Sequence, residues 1–306
     1  MWNKPWSLKE GVAIGGGLVL VGLLLQLFAG PVDWDVFAWP VNVIVLSVLL
    51  LLLGTGFLLR KKLYAVQFLM SWKAVVPTLG YAVLLTIVMG LTWQVSSESE
   101  PADPIGFSKM LSFWPFVLVY VWIALMAGWV AIRQMAYFQF RCIPSLASHV
   151  GLFLLLVCGS LGSADMRRLK MYCEYEQPEW RALDSRQMIH ELDWTITLNR
   201  FVMEQYEGEA VPKRFASEVE VVTRDGERVR ATVEVNRPLT IDGWKVYQYG
   251  YDQMAGAGSR YSVFELVRDP WMPVVYVGLA LLAAGAVGLF FVSRRSVAFE
   301  GEGVRP

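Results

Sequence analysis

Six long apolar runs, with one alternating segment between the fifth and the sixth, predict a polytopic α-helical membrane protein: six transmembrane helices and one extracytoplasmic antiparallel β domain. Three observations carry this expectation. The 306-residue chain is 55% hydrophobic and 18% charged, with a mean hydropathy of +0.43, whereas a soluble domain lies near half apolar and about a quarter charged. The excess is gathered into runs long enough, or nearly so, to cross a hydrocarbon core of about 30 Å. The basic residues collect in alternate loops, as a membrane topology requires.

The spans are expected at Val12–Phe28, Trp39–Leu59, Ala74–Trp93, Phe113–Ile132, Leu146–Leu161 and Pro273–Val292. The first follows Lys4 and Lys9 as a signal peptide would. Its exit, Leu27-Phe28-Ala29-Gly30, lacks a small-x-small cleavage pattern, which reads as a retained helix. The fifth is short and needs its flanks, Ser145 and Gly162–Ser163, to span.

Orientation follows from the short loops. One side carries Lys4, Lys9, Arg60, Lys61, Lys62, Lys73, Arg133, Arg141, Arg294, Arg295 and Arg305, and the other only Lys109. Eleven cations against one place both termini in the cytoplasm of a bacterial inner membrane. Arg167, Arg168 and Lys170 run against the rule, but they open a long translocated segment, where the rule is weak. The expected division is a membrane domain of five helices over 1–163, an extracytoplasmic β domain over 164–269, and a final helix with a cytoplasmic tail over 270–306.

The aqueous segment reads as β. Trp194–Phe201 alternates apolar and polar residues, the period of a half-buried strand. Val219 and Val221 face Val229–Val235 across a turn at Asp225-Gly226, a hairpin signal. A second such pair, Asp242-Gly243, separates Leu239–Ile241 from Trp244–Tyr249, and Tyr261–Val267 alternates again before Asp269-Pro270. The outcome is an antiparallel sheet or sandwich.

Composition excludes several functions. Net charge is zero, so nothing points to nucleic acid. Cys142, Cys158 and Cys173 form no Cys-x-x-Cys pair, and no Cys-x-x-Cys-His is present, so the chain is not itself a c-type cytochrome. Six tryptophans (Trp34, Trp39, Trp72, Trp93, Trp114 and Trp271) lie at span ends, where an aromatic belt belongs. Cys158 reads as a small packing residue, and Cys173 as either free or paired with a partner.

Only two histidines exist. His149 stands on the first turns of the fifth span, after Pro144, a residue suited to a helix start. Apart from thiols, no other ionisable side chain lies between Arg141 and Asp165. An ionisable group in a spanning helix is costly and marks function by default, and neutral imidazole is a standard ligand of haem iron. The plain alternative is a histidine hydrogen-bonded to a neighbouring helix. From His149 to Ser163 is about 14 residues, roughly 21 Å of helix, and His190 lies beyond, at the entrance to a strand, where it reads as a surface or turn histidine. A bis-histidine dihaem carrier needs four histidines, so the chain alone is not one. A second axial ligand must come from another chain, from a non-histidine group, or from a second copy.

From His149 onward the chain resembles the ResB (CcsB) family of System II cytochrome c biogenesis. The resemblance rests on Ser148-His-Val-Gly-Leu-Phe153 with Gly159-Ser-Leu-Gly162, on Phe201–Tyr206, and on Phe215-Ala-Ser217-Glu-Val-Glu-Val. It continues through Val233–Leu239, through Gly243-Trp244-Lys-Val-Tyr247-Gln248-Tyr-Gly-Tyr251-Asp252, and through Phe264–Pro270. The resemblance implies a membrane subunit that handles haem export and presents haem b, together with a CcsA-type membrane protein, for attachment to the CxxCH motifs of apocytochrome c. It implies a non-catalytic or ligand-contributing subunit of a cytochrome c haem lyase, with His149 matching the family's transmembrane axial ligand to haem iron. Two departures stand out: many members have four helices and a larger external domain, and the WGxxWxWD-type motif and external histidines of CcsA are absent. Competing expectations are a membrane anchor or cytochrome b-like subunit of a respiratory complex, disfavoured by the histidine count, and a non-haem scaffold that docks apocytochrome.

Overall fold

The computed structural model describes residues 2–95, 99–206 and 212–291. It contains six helices long and apolar enough to cross a membrane: α1 (Leu8–Ala29), α2 (Val41–Leu59), α4 (Trp72–Leu91), α5 (Trp114–Ala136), α6 (Ile143–Ser163) and α7 (Met272–Phe291), with a short α3 (Tyr64–Leu69) between the second and third spans. Val292 and the basic residues Arg294, Arg295 and Arg305 lie outside the described residues. The chain forms two compact units, one running through Ala164 and resuming at Trp271, the other Asp165–Pro270.

Helix ends differ from the hydropathy windows for local reasons. α1 begins at Leu8 rather than Val12 because Ser7-Leu-Lys-Glu10 is a capping box, in which the Ser7 side chain accepts from the backbone and Glu10 returns the bond to Ser7 N. α6 recruits both flanks of its apolar run and reaches 21 residues, about 32 Å at 1.5 Å each, with Pro144 in its first turn. α3 escapes a hydropathy reading because its six residues are too short to form a run.

α5 is the hub of this unit. Half of its apolar window is buried against about a tenth of those of α1, α2 and α7, and it touches α1, α2, α4 and α6. α6 and α7 pack through small residues: a Cβ added at Gly151 would meet the backbone of Gly278 and Leu282, and one at Gly285 would meet Ser148 and the Pro144 carbonyl. Close backbone approach replaces the hydrophobic effect, which lipid does not supply between helices.

The second unit is one eight-stranded antiparallel sheet ordered β5-β4-β3-β2-β1-β8-β7-β6. Its strands are β1 (Arg167–Glu174), β2 (Pro178–Leu183), β3 (Ile189–Gln205), β4 (Pro212–Val222), β5 (Arg228–Glu234), β6 (Leu239–Ile241), β7 (Trp244–Tyr251) and β8 (Tyr261–Arg268). The hairpins at Asp225-Gly226 and Asp242-Gly243 form as expected, with Gly226 at φ +80° and Gly243 at φ +77°.

β1 and β2 were not read from the sequence. The burial of β1 does alternate, with Leu169, Met171 and Cys173 inward, but its Arg167, Arg168 and Lys170 were read only as charges opening the translocated segment. β3 is longer than the expected Trp194–Phe201 because it pairs with β2 from Ile189 and with β4 as far as Gln205.

The sheet curls on itself. β4 and β7 stand five places apart in strand order yet meet through Ser217 Oγ, which donates to Gln248 Oε1 at 2.6 Å. Ser217 Oγ also lies 2.7 Å from Ser262 Oγ of β8, and Gln248 Nε2 donates to the Gly250 carbonyl at 2.8 Å. All three side chains are buried, inside a core built by Met171, Trp194, Ile196, Leu198 and Phe264 among others. Every group in the cluster has a partner, which is what makes a buried polar network tolerable.

Candidate functional site

His149 is half-buried on α6, one turn after Ser145 and one before Phe153. That i, i+4, i+8 stripe faces α5 and α2: Ser145 Oγ accepts from Gln134 Nε2 of α5 at 2.8 Å, and the Phe153 ring lies where a Cβ on Gly128 of α5 would stand, beside Leu53 of α2. Further along, Tyr120 of α5 donates to the Leu156 carbonyl at 2.8 Å. The α5–α6 seam is thus polar at both ends and apolar between them.

His149 Nδ1 lies 2.7 Å from the Ser145 carbonyl. A carbonyl only accepts, so Nδ1 carries the proton and donates along the helix. Ser145 Oγ lies 3.4 Å from the same nitrogen, a secondary acceptor held in place by Gln134. With Nδ1 as the donor, the nitrogen left for a ligand is Nε2. Among the described residues it has no hydrogen-bond partner, and it is not one of the occluded polar atoms. A main-chain or carboxylate acceptor on one ring nitrogen, with the other left open, is how proteins orient a metal-ligating histidine. Such an imidazole has the donor chemistry that haem iron accepts.

Gln134 is the residue that sequence reading missed. Its Oε1 is buried with no partner among the described residues while its Nε2 is engaged. It lies at the end of α5, where its amide resembles any polar residue leaving a membrane. Only the pairing of α5 with α6 makes it a neighbour of His149. Ser145 was read only as a flank of the span, although its place four residues before the histidine puts the two on one helix face.

Other candidates lie apart from this site. His190, the second residue of β3, pairs through Nε2 with Asp184 Oδ2 of the preceding turn at 3.0 Å, and this hydrogen bond chiefly holds the Asp184 carboxyl below its ordinary range. His190 is therefore a strand residue with a local partner in the turn before it. Cys158 is buried on α6, and Cys173 is a free thiol at the centre of the β core. Burial pushes the Cys173 thiol well above its usual range, and the nearby Glu179 charge adds to this.

Residues 139–259 match the family model of the ResB-like family. Among curated proteins none matches the sequence at a significant level. A solved structure titled "Cytochrome c Heme Lyase CcmF" is 17% identical, with a TM-score of 0.39; the match covers 94% of this chain and 46% of that one. The chain thus spans about half the length of that protein, and a likeness of this size carries no argument about activity. The family match covers α6 with His149 and most of the β sheet. From Gln139 to Ser259, then, this chain is similar to the ResB-like family.

Proposed function

We propose that the chain is a ResB-type membrane subunit of a cytochrome c haem-attachment machine, and that His149 is an axial ligand to haem b. The observation that carries this reading is the His149 imidazole, with Nδ1–H bound to the Ser145 carbonyl and Nε2 open, inside a segment that matches the ResB-like family model. The arrangement of basic residues supports a bacterial inner-membrane topology with cytoplasmic termini and an extracytoplasmic β unit. On that topology His149, about 9 Å into α6 from Ile143, meets haem near the cytoplasmic face.

When bound, the group supplies the iron porphyrin to be joined to apocytochrome. His149 holds it, Ser145 and Gln134 fix the ring, and the aromatic Phe153 one turn deeper keeps the seam dry. No second histidine stands in this unit among the described residues, so the sixth ligand comes from a CcsA-type partner. That partner also carries the covalent chemistry, and the β unit is the face toward apocytochrome c.

The test is substitution at His149 in the assembled complex. His149→Gly should deplete copurifying haem and halt cytochrome c maturation while the complex still forms, with exogenous imidazole restoring part of the activity. His149→Gln keeps a hydrogen-bonding group. If that variant retains full haem and matures cytochromes normally, His149 is a satisfied polar residue between helices and the assignment fails.

A further inference from the structure

A cavity of about 220 Å³ opens beside the start of α1, walled by Trp6, Tyr64, Gln67, Phe68, Trp72 and Lys73. The wall is assembled from three parts of the chain. Trp6 packs edge-on against Tyr64 and Phe68 at centroid distances of 5.4 and 5.1 Å, and its backbone N–H donates to the Tyr64 hydroxyl at 2.9 Å. The Lys4 ammonium sits 4.9 Å above the Tyr64 ring. The polar groups here are unbalanced. Tyr64 accepts through its oxygen, and its phenolic proton has no acceptor among the described residues. Neither the Trp72 indole N–H nor the Lys73 ammonium has one either, and neither Lys4 nor Lys73 has a carboxylate partner there. Glu10, the carboxylate at this end of α1, is already taken by Ser7 N, Ser7 Oγ and Trp2 N.

A phenol, an indole and an ammonium that all lack acceptors call for an anion with several oxygens in one place. The aromatic walls select its source. Trp72 is largely exposed at the end of a membrane-spanning helix, the position of an interfacial belt residue, amphipathic and level with headgroups. We propose that this cavity binds the phosphodiester of an anionic phospholipid: Lys73, Trp72 and Tyr64 donate to its oxygens, Lys4 adds charge, and the acyl chains lie along apolar helix surface. Basic pockets between spanning helices are suited to such lipids. The inference stands apart from His149 and haem.

The test uses the purified full chain in detergent, titrated with phosphatidylglycerol, phosphatidylcholine and inorganic phosphate. Native mass spectrometry reads binding, and thermal unfolding reads stabilisation. Phosphatidylglycerol should bind at least several-fold more tightly than phosphatidylcholine, more weakly in high salt, and should raise the unfolding temperature. Lys73→Gln should weaken it about tenfold, the worth of one hydrogen bond to a charged group. Trp72→Phe alters an exposed ring, so it provides the same test if Lys73→Gln does not fold, and it should weaken binding by a smaller factor. Equal binding of the two lipids, or phosphatidylglycerol binding unchanged in both variants, would overturn the proposal. Full displacement of phosphatidylglycerol by millimolar phosphate would overturn the lipid assignment by showing a free-anion site.

Discussion

Replacing Gln134 with leucine should separate haem retention from stability. Gln134 holds one hydrogen bond, Nε2 to Ser145 Oγ at 2.8 Å, and leaves Oε1 buried without a partner. A net hydrogen bond contributes about 0.5–1.5 kcal/mol, and an unsatisfied buried acceptor costs about 1–3 kcal/mol. Leucine loses the first and removes the second, so the net change in stability should lie between a loss of about 0.5 and a gain of about 2.5 kcal/mol. The His149 ring, however, loses the group that pins its secondary acceptor. Changes to the partners of a metal-ligating residue typically cost about 10–100-fold in affinity, or about 1.4–2.8 kcal/mol. The assay is titration of the purified chain with ferric haem, read in the Soret band, beside a thermal melt of the apoprotein. A Gln134→Leu protein with wild-type haem affinity would refute the positioning role. A large loss of stability would refute the reading of Oε1 as an unsatisfied atom.

Other outcomes follow from the same geometry. A reporter fused after Arg141 should be cytoplasmic and one near Gly226 external; an external signal at Arg141 would overturn the topology. Gly285→Leu should destabilise by about 1–3 kcal/mol or more by overpacking the α6–α7 contact against Ser148 and Pro144, and should lower haem retention by displacing the turn that carries His149. Gly159→Ala, where a Cβ meets nothing within 4 Å, is the control and should be silent in both readouts. Although desolvation pushes the Asp103 carboxyl up, hydrogen bonds from Ser108 and from the backbone of Phe107 and Gly106 prevail and hold it well below the usual aspartate range. A depressed pKa contributes stability above the ordinary value of about 3.9 that is lost as pH falls through the folded value. The protection factors of the amides of residues 105–108, taken against the intrinsic rate at each pH, should therefore be constant through neutral and mildly acidic pH and fall only in strong acid, whereas Asp103→Ala should show the reduced protection at pH 7. Maleimide should reach Cys142, which is half-buried, but leave Cys173 unmodified until the β unit unfolds.

The sequence alone determined the six spans, because crossing hydrocarbon imposes a length and an apolar composition that hydropathy reads directly. It determined the two Asp-Gly hairpins, whose left-handed glycines are a local demand, and it singled out His149 as the one imidazole in the membrane unit. Helix periodicity also puts Ser145 on the face of His149, a signal that the sequence reading did not use. What the sequence could not show depends on which elements meet. The motif residues Ser217 and Gln248 carry a resemblance whose physical reason appears only when the sheet curls and joins β4 to β7 through their side chains. β1 was obscured because Arg167, Arg168 and Lys170 stand out as charges opening the translocated segment, while their place in a strand is set by pairing with β8. Whether Nε2 or Nδ1 of His149 is the open nitrogen is set by a 2.7 Å contact with a carbonyl, and the Gln134 amide beside it comes from a separate helix. Side-chain type and local period are written along the chain, whereas the ring nitrogen left open and the neighbour that orients the ring follow from distances that exist only in the folded helices.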